Sequence, residues 1–453
     1  MSLTTNSEYG GRPRIWFAVY QLLGHLLLPL AFVRLAWRAR HAFSYLHHIP
    51  ERLGFGYSKP IAQGSIWIHA VSVGETRAAQ PLIEAYLNRG EAILLTHMTL
   101  NGRRTGKQLF AKQIASGQIR QVYLPYDICW AVEHFLKTFK PKVGLFMETE
   151  AWPTVVFRCK EIGLPLFLVN ARLSERSARR INRFGNAGCS LFQAFAGILA
   201  QTEFDAQRYR SLGVQNVLIV GNLKFDVPLD PMLVEQGKSW RQDLHTNQRL
   251  MVCAASTRDG EETIILKAWK DLLLSNVFSI TPLLCLVPRH PERFTEVADQ
   301  IHATGLKFRR RSEWPGIPNE CAGLDIILGD SMGEMPMYYS ASSLVIMGGS
   351  LLPFGGQNLI EACAAGCPVL LGGHTYNFQQ AALDAIDSGA AKRIKGELIL
   401  TEPIALMESL KELLLNTAEL IRMSETAKAY SREHQGATSQ TLVALDRQNF
   451  SLN

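Results

Sequence analysis

Four common catalytic signatures are missing from this 453-residue sequence: there is no GxxxxGK[ST], no HExxH, no GxSxG and no DxD. The first three absences argue against a phosphate-loop NTPase, a zinc hydrolase and an α/β-hydrolase. The fourth withholds support from metal-dependent chemistry on nucleotide sugars. No CxxC pair occurs among the eight scattered cysteines (Cys129, Cys159, Cys189, Cys253, Cys285, Cys321, Cys363, Cys367). They read as reduced core thiols of a cytoplasmic domain, with neither zinc nor disulfides implied. Charged residues are scarce, at 19%, against 47% hydrophobic, which excludes a disordered chain. No Arg/Lys tract with interleaved aromatics stands out. The net charge of +7 therefore points to an anionic surface such as phospholipid before nucleic acid.

One segment lacks charge altogether. Residues 15–33, IWFAVYQLLGHLLLPLAFV, carry none, while Arg12 and Arg14 precede them and Arg34, Arg38 and Arg40 follow. The run is close to the ~20 residues that cross a bilayer. A cleaved signal peptide would have a shorter apolar core and a small-residue cleavage site. Gln21, His25 and Pro29 interrupt the run, so a helix lying in the interface between Trp16 and Trp37 remains open beside a spanning one. The alternative to both is a hydrophobic helix of the globular core. The larger basic cluster follows the segment and favours a cytoplasmic body.

Beyond it, short Ile/Val/Leu-rich runs alternate with stretches of helical spacing such as residues 131–139 and 154–160. The runs include SIWIHAVSVGE, AILLTHMT, VGLFMETE and PLFLVNAR, and each ends in polar or glycine-containing turns. Uninterrupted apolar strands separated by helices predict a parallel sheet covered on both faces. The rhythm pauses at DVPLDPMLVEQG, which reads as a linker, and restarts with MVCAAST, PLLCLVPRH, DIILGD, SLVIMGG and PVLLGG. The expected architecture is two doubly wound Rossmann-like α/β domains facing a cleft. Residues 1–44 form the anchor and juxtamembrane segment, 45–228 the first domain and 229–453 the second.

Ligands of such sheets bind beyond the carboxyl ends of the strands, so the polar residues there are the candidates. HAVSVGE delivers Glu75, which either takes a proton from an attacking hydroxyl or favours the next helix through its dipole. Position alone leaves these even. METEAWP delivers Glu148 and Glu150 ahead of Trp152, a pair suited to acid–base chemistry, a metal or arginine partners. Arg172, Arg176, Arg179 and Arg180 follow another strand, either to grip phosphates or as a solvated helix face. Lys224, in GNLKFD, is weak by itself. In the second half Arg289 and His290 follow a strand, and GDSMGEM opens a helix. Gly348, Gly349, Gly355 and Gly356 precede Asn358 and Glu361, where glycines let backbone approach a ligand. This half reads as the nucleotide side.

Taken in order, HAVSVGET, THMTLNG, YLPYD, METEAWP, NARLSERS, GNLKFD, STRDGEE, VPRHPERF, GDSMGE, GGS…GGQN and GGHTYNF resemble the bacterial 3-deoxy-D-manno-octulosonic acid (Kdo) transferases. The resemblance runs from about Glu51 to Phe378. It implies a GT-B fold and inverting, metal-independent transfer of Kdo from CMP-Kdo to lipid IV(A), with no cofactor, at the cytoplasmic face of the inner membrane. By motif, Glu75 is then the general base, and Glu148 and Lys224 stabilise the transition state. CMP is held by Pro288 and Arg289, by Met332, Gly333 and Glu334, and by Asn358, Leu359, Ile360 and Glu361. The anionic donor suits a lysine and an arginine. The arginine cluster would meet the phosphorylated acceptor. Three motifs depart from the family pattern: GGHN reads GGQN with Gln357, the threonine-proline-threonine-glycine turn reads TLNG, and ETELWP reads ETEAWP. The competing readings are a membrane-bound GT-B enzyme using a UDP-sugar and a non-catalytic nucleotide-sugar-binding scaffold.

Overall fold

The computed structural model describes residues 12–40, 43–57, 64–246, 248–313, 323–394 and 403–449. Cys321 lies outside them. The seven described cysteines are all unpaired thiols.

The chain divides into two compact units: residues up to Val227 together with those from Gln435 onward, and Pro228–His434. The first unit is built on seven strands: β1 (Ile66–His69), β2 (Ile93–His97), β3 (Ile119–Tyr123), β4 (Val143–Met147), β5 (Leu166–Ala171), β6 (Gly197–Ala200) and β7 (Val217–Ile219). Their spatial order is β3-β2-β1-β4-β5-β6-β7, with every pairing parallel. The second unit repeats the design with β8 (Met251–Thr257), β9 (Leu283–Pro288), β10 (Phe308–Arg310), β11 (Ile326–Leu328), β12 (Leu344–Met347), β13 (Val369–Leu371) and β14 (Ala391–Arg393). Its order is β10-β11-β9-β8-β12-β13-β14, again parallel throughout. Helices on both faces bury the sheets, which is why β1, β2, β4 and β5 read as continuous apolar runs without alternation. Trp67 and Phe146 pack on one face of the first sheet, and Ile68 and Leu145 on the other.

In both sheets the chain reverses its winding direction once, between β1 and β4 in the first and between β8 and β12 in the second. Those switch points are where an open α/β sheet leaves a crevice at its carboxyl edge. Glu75 follows β1 and Glu148 follows β4, so two of the sequence candidates stand at the first of them.

Two boundaries differ from the sequence reading. The linker is shorter, because helix Pro231–Thr246 starts inside it, with Asp230 Oδ1 accepting from the amides of Met232 (2.9 Å) and Leu233 (3.4 Å). The sequence reading also runs the second domain to the C-terminus, whereas helix Ala437–Asn449 returns to the first unit. There Asp226 accepts from the amides of Gly436 (2.7 Å) and Thr438 (2.5 Å), and Asp446 pairs with Arg89 at 3.0 Å. Nothing in a local hydropathy pattern reports such a return.

The charge-free run forms one helix, Arg12–Ala39. Among its described side chains only Leu35 is buried, so it is no core helix.

Candidate active site

The base of the first site is set by helix starts. Ser72 caps helix Val73–Asn88: its Oγ accepts from the Glu75 amide (3.3 Å) and donates to Glu75 Oε1 (2.8 Å). The other oxygen, Oε2, accepts from the Val71 amide at 2.8 Å. This is a variant of the capping box in which the carboxylate reaches the amide before the N-cap, and it fixes the carboxylate in place. Of the two sequence readings of Glu75, this is the helix-start one. Burial raises its pKa above the usual carboxylate range; the Ser72 and Val71 bonds oppose that, the Glu148 charge adds to it, and Lys224 opposes it in turn.

Glu148 is buried and holds a φ of 55°, a backbone region that non-glycine residues rarely adopt. That turn at the end of β4 swings its carboxylate to two cations. Lys224 Nζ donates to Oε1 at 2.6 Å, and Arg172 Nε to Oε2 at 2.8 Å. Burial pushes its pKa up, but the two cations and their hydrogen bonds outweigh burial and leave it below the usual value. Arg172 was grouped in the sequence reading with arginines for an acceptor phosphate; its partner is Glu148. Of the other three, Arg179 pairs with Glu175, one turn away on an exposed helix face, and Arg176 and Arg180 are exposed.

Lys224 is no lone lysine. The Asn222 side chain accepts from its amide at 3.0 Å, and Asn170, at φ 53°, accepts from the Leu223 amide at 3.0 Å. These two asparagines aim the short 3₁₀ turn that carries Lys224 at the end of β4.

Glu150 completes the cluster. Its carboxylate accepts from Trp152 Nε1 at 2.9 Å, and its pKa is pushed up to about 7 by burial and by repulsion from Glu75, then Glu148. A carboxyl raised from 4.5 to about 7 destabilises the fold above pH 7, because the unfolded chain sheds that proton near pH 4.5. Glu150→Gln should accordingly raise thermal stability at pH 8, by up to ~2 kcal/mol, and leave it unchanged at pH 4. Melting curves at the two pH values check this.

In the second unit the organising group was not singled out from the sequence. Glu261, in STRDGEE, is fully buried, and its carboxylate accepts four backbone amides: Gly349 (2.7 Å), Arg258 (2.8 Å), Leu351 (2.9 Å) and Leu352 (3.3 Å). It ties the loop after β8 to the GGS loop after β12, the two strands at the switch point. A Cβ on Gly348 would collide with the carbonyls of Ser256 and Ala255, so the GGS loop needs glycine there. Glu261→Gln offers one acceptor oxygen where two were used and turns an NH2 against amide donors. The expected cost is about 2–4 kcal/mol, together with a raised KM for the donor, checked by denaturant unfolding and donor titration.

The other candidates of this unit fall as follows. Pro288 ends β9 in the core, and Arg289 stands exposed just beyond it. Met332 is exposed, Gly333 has φ 88°, and Glu334 is held by Arg311 (2.9 Å), Ser331 and the Tyr338 hydroxyl (3.1 Å). Asn358 Nδ2 donates to Glu361 Oε1 at 3.1 Å, and its Oδ1 accepts from the Ile360 amide at 3.2 Å. Leu359 and Ile360 bury their side chains, leaving only main chain for a ligand. The structure therefore gathers Glu75, Glu148 and Lys224 into one cluster, whereas the donor-side residues occupy three separate loops of the second unit.

Two doubly wound parallel sheets, each with polar residues at its switch point, define a GT-B-like fold. The fold matches UDP-GlcNAc 2-epimerase from Neisseria meningitidis with a TM-score of 0.56, covering 84% of this chain and 100% of that one at 15% identity. Residues 47–227 match the family described as 3-Deoxy-D-manno-octulosonic-acid transferase (kdotransferase). The 3-deoxy-D-manno-octulosonic acid transferase of Bordetella pertussis is 42% identical over 94% of this chain and 98% of its own, and that of Haemophilus influenzae 33% over 95% and 98%. The chain belongs to the Kdo transferase family and is a Kdo transferase.

Proposed function

We propose that this enzyme transfers Kdo from CMP-Kdo to lipid IV(A), with inversion at the anomeric carbon and without a catalytic metal. The observation that carries the reading is the Glu75–Glu148–Lys224 cluster at the first switch point. A carboxylate kept above the usual range by burial is a base suited to neutral pH. Glu75 takes the proton of the acceptor hydroxyl as the oxygen forms its bond to the anomeric carbon of Kdo. The bond from that carbon to the CMP phosphate oxygen breaks, and CMP leaves with the electron pair. Lys224 and Arg172, neutralised only in part by Glu148, supply positive charge near the acidic sugar. Arg289, with the loops at Gly333–Glu334 and Asn358–Glu361, holds the nucleotide.

Helix Arg12–Ala39 attaches the enzyme to inner-membrane phospholipid, with the catalytic body on the cytoplasmic face. An 18-residue window within Ile15–Ala39, of mean hydropathy 1.7, supports the attachment. Kdo transfer is tested with wild-type enzyme, lipid IV(A), and either CMP-Kdo generated in situ or a panel of UDP-sugars, with products resolved by mass. Product from CMP-Kdo alone is expected, and product only from a UDP-sugar would sink the donor assignment.

A further inference from the structure

The N-terminal helix makes two kinds of contact, on two different faces. One face is docked on the first unit along nearly its whole length. Trp16 and Phe17 pack edge-on against Phe157, with ring centroids 5.8 and 5.7 Å away. Tyr20 donates to Asp127 Oδ2 at 2.7 Å. Gln21 donates to Thr154 Oγ1 at 2.6 Å and accepts from the Cys129 amide at 2.9 Å. Farther along, Phe32 meets Tyr126 at 6.0 Å, and Leu35 is buried. Trp16 to Leu35 is 19 residues, about 28 Å of helix, nearly the ~30 Å hydrocarbon thickness of a bilayer.

That length decides the geometry. Were the helix to cross the bilayer, whatever packs along it would be sunk in hydrocarbon too. The docking surface is the start of helices Cys129–Phe139 and Pro153–Glu161, where Asp127 caps the second helix through the amides of Thr154 (2.9 Å) and Val155 (3.0 Å). The same two helices carry Glu133, Arg158 and Glu161, joined in ion pairs. Burying such a surface in lipid costs far more than the helix's own transfer returns.

The opposite face is an unbroken apolar stripe: Ile15, Val19, Leu22, Leu26, Leu30 and Val33 are each 49–66% exposed. No acidic residue occurs in residues 12–40, and arginines lie at both ends, at 12, 14, 34, 38 and 40. That combination suits an anionic lipid surface.

We propose that this helix is a monotopic anchor, lying in the plane of the membrane. Its docked face is an integral wall of the catalytic unit, and its striped face is sunk among the acyl chains of anionic phospholipid. It rests on the reading of this helix as the membrane attachment. Asp127 thereby joins the lipid-facing helix to the start of Pro153–Glu161, directly after Glu148 and Glu150.

The test uses the full chain with an epitope tag ahead of Met1, in right-side-out and inside-out inner-membrane vesicles exposed to protease. An in-plane helix leaves tag and catalytic body on the same face, so the tag should be cut at least tenfold faster in inside-out vesicles. A membrane-bound enzyme whose tag is cut only in right-side-out vesicles has a spanning helix. That overturns the inference and leaves the attachment reading standing. Enzyme found in the soluble fraction overturns both, and its elution as a dimer would mean that a second copy covers the stripe. A second variant, Gln21→Leu, removes the docking hydrogen bonds while raising the apolarity of the helix. A docked helix should then lose thermal stability, whereas unchanged stability speaks against docking.

Discussion

Glu75→Gln should abolish Kdo transfer while leaving the fold in place. Glutamine keeps the shape of the capping box: its amide oxygen can still accept one of the two bonds now made by Glu75, from Ser72 at 2.8 Å or from Val71 at 2.8 Å. What it cannot do is accept a proton. General-base catalysis is worth roughly 10²–10⁴-fold, so kcat should fall by about that factor, with donor affinity unchanged because the residues proposed to hold CMP all lie in the second unit. Stability changes little, since an N3 glutamine is the usual substitute in a capping box, and the removed carboxylate was one that burial disfavoured. Glu75→Ala is the harsher variant, because it removes both hydrogen bonds of the carboxylate, to Ser72 Oγ and the Val71 amide, at about 1 kcal/mol, while Ser72 still caps helix Val73–Asn88. Equal inactivity of the two variants at unequal stability would mark a chemical role. Substantial turnover by Glu75→Gln would move the base to Glu150, whose carboxyl, pushed up to about 7, is the neighbouring group able to take it over.

Much of this was legible beforehand, and the pattern of what was not has a physical cause. Continuous apolar strands followed by glycine-containing turns have few explanations besides a parallel sheet with covered faces. The carboxyl end of each strand could therefore be located, and Glu75, Glu148 and Lys224 along with it. The polar partners were another matter. Arg172 lies 24 residues from Glu148, and Glu261 lies 88 residues before the Gly349 amide it accepts. Such pairings exist only once β4 has paired with β5 and β8 with β12. A buried carboxylate serving four amides leaves no mark in composition, because STRDGEE reads as an ordinary acidic helix start. The docking of Gln21 was hidden differently. In one dimension it is a flaw in an apolar run, and only its partners Thr154 and Cys129 turn the flaw into a contact.

Replacing Lys224 with methionine should have the largest combined effect on stability and rate, and its pH dependence separates the two. Glu148 is buried, and with Lys224 gone only Arg172 remains to offset that burial. Breaking a buried pair from one side costs about 3–5 kcal/mol. In the wild type the carboxyl of Glu148 titrates below its unfolded value, so it contributes stability above that value and loses it as pH falls through the folded pKa. In Lys224→Met burial has less opposition, the folded pKa rises, and the contribution reverses sign. The destabilisation should therefore be full at pH 8 and shrink as pH drops, because protonating Glu148 removes the charge that Lys224 no longer offsets. The double variant Lys224→Met with Glu148→Gln removes the uncompensated charge and should recover most of the lost stability at pH 8. Activity should not return with it. If Lys224 only neutralised Glu148, the double variant would transfer Kdo as fast as Glu148→Gln alone. If its charge acts on the acidic sugar as the bond to CMP breaks, kcat stays down by ~10²-fold or more, with folding restored. Denaturant unfolding at pH 4 and pH 8, alongside transfer rates for the single and double variants, distinguishes the two roles.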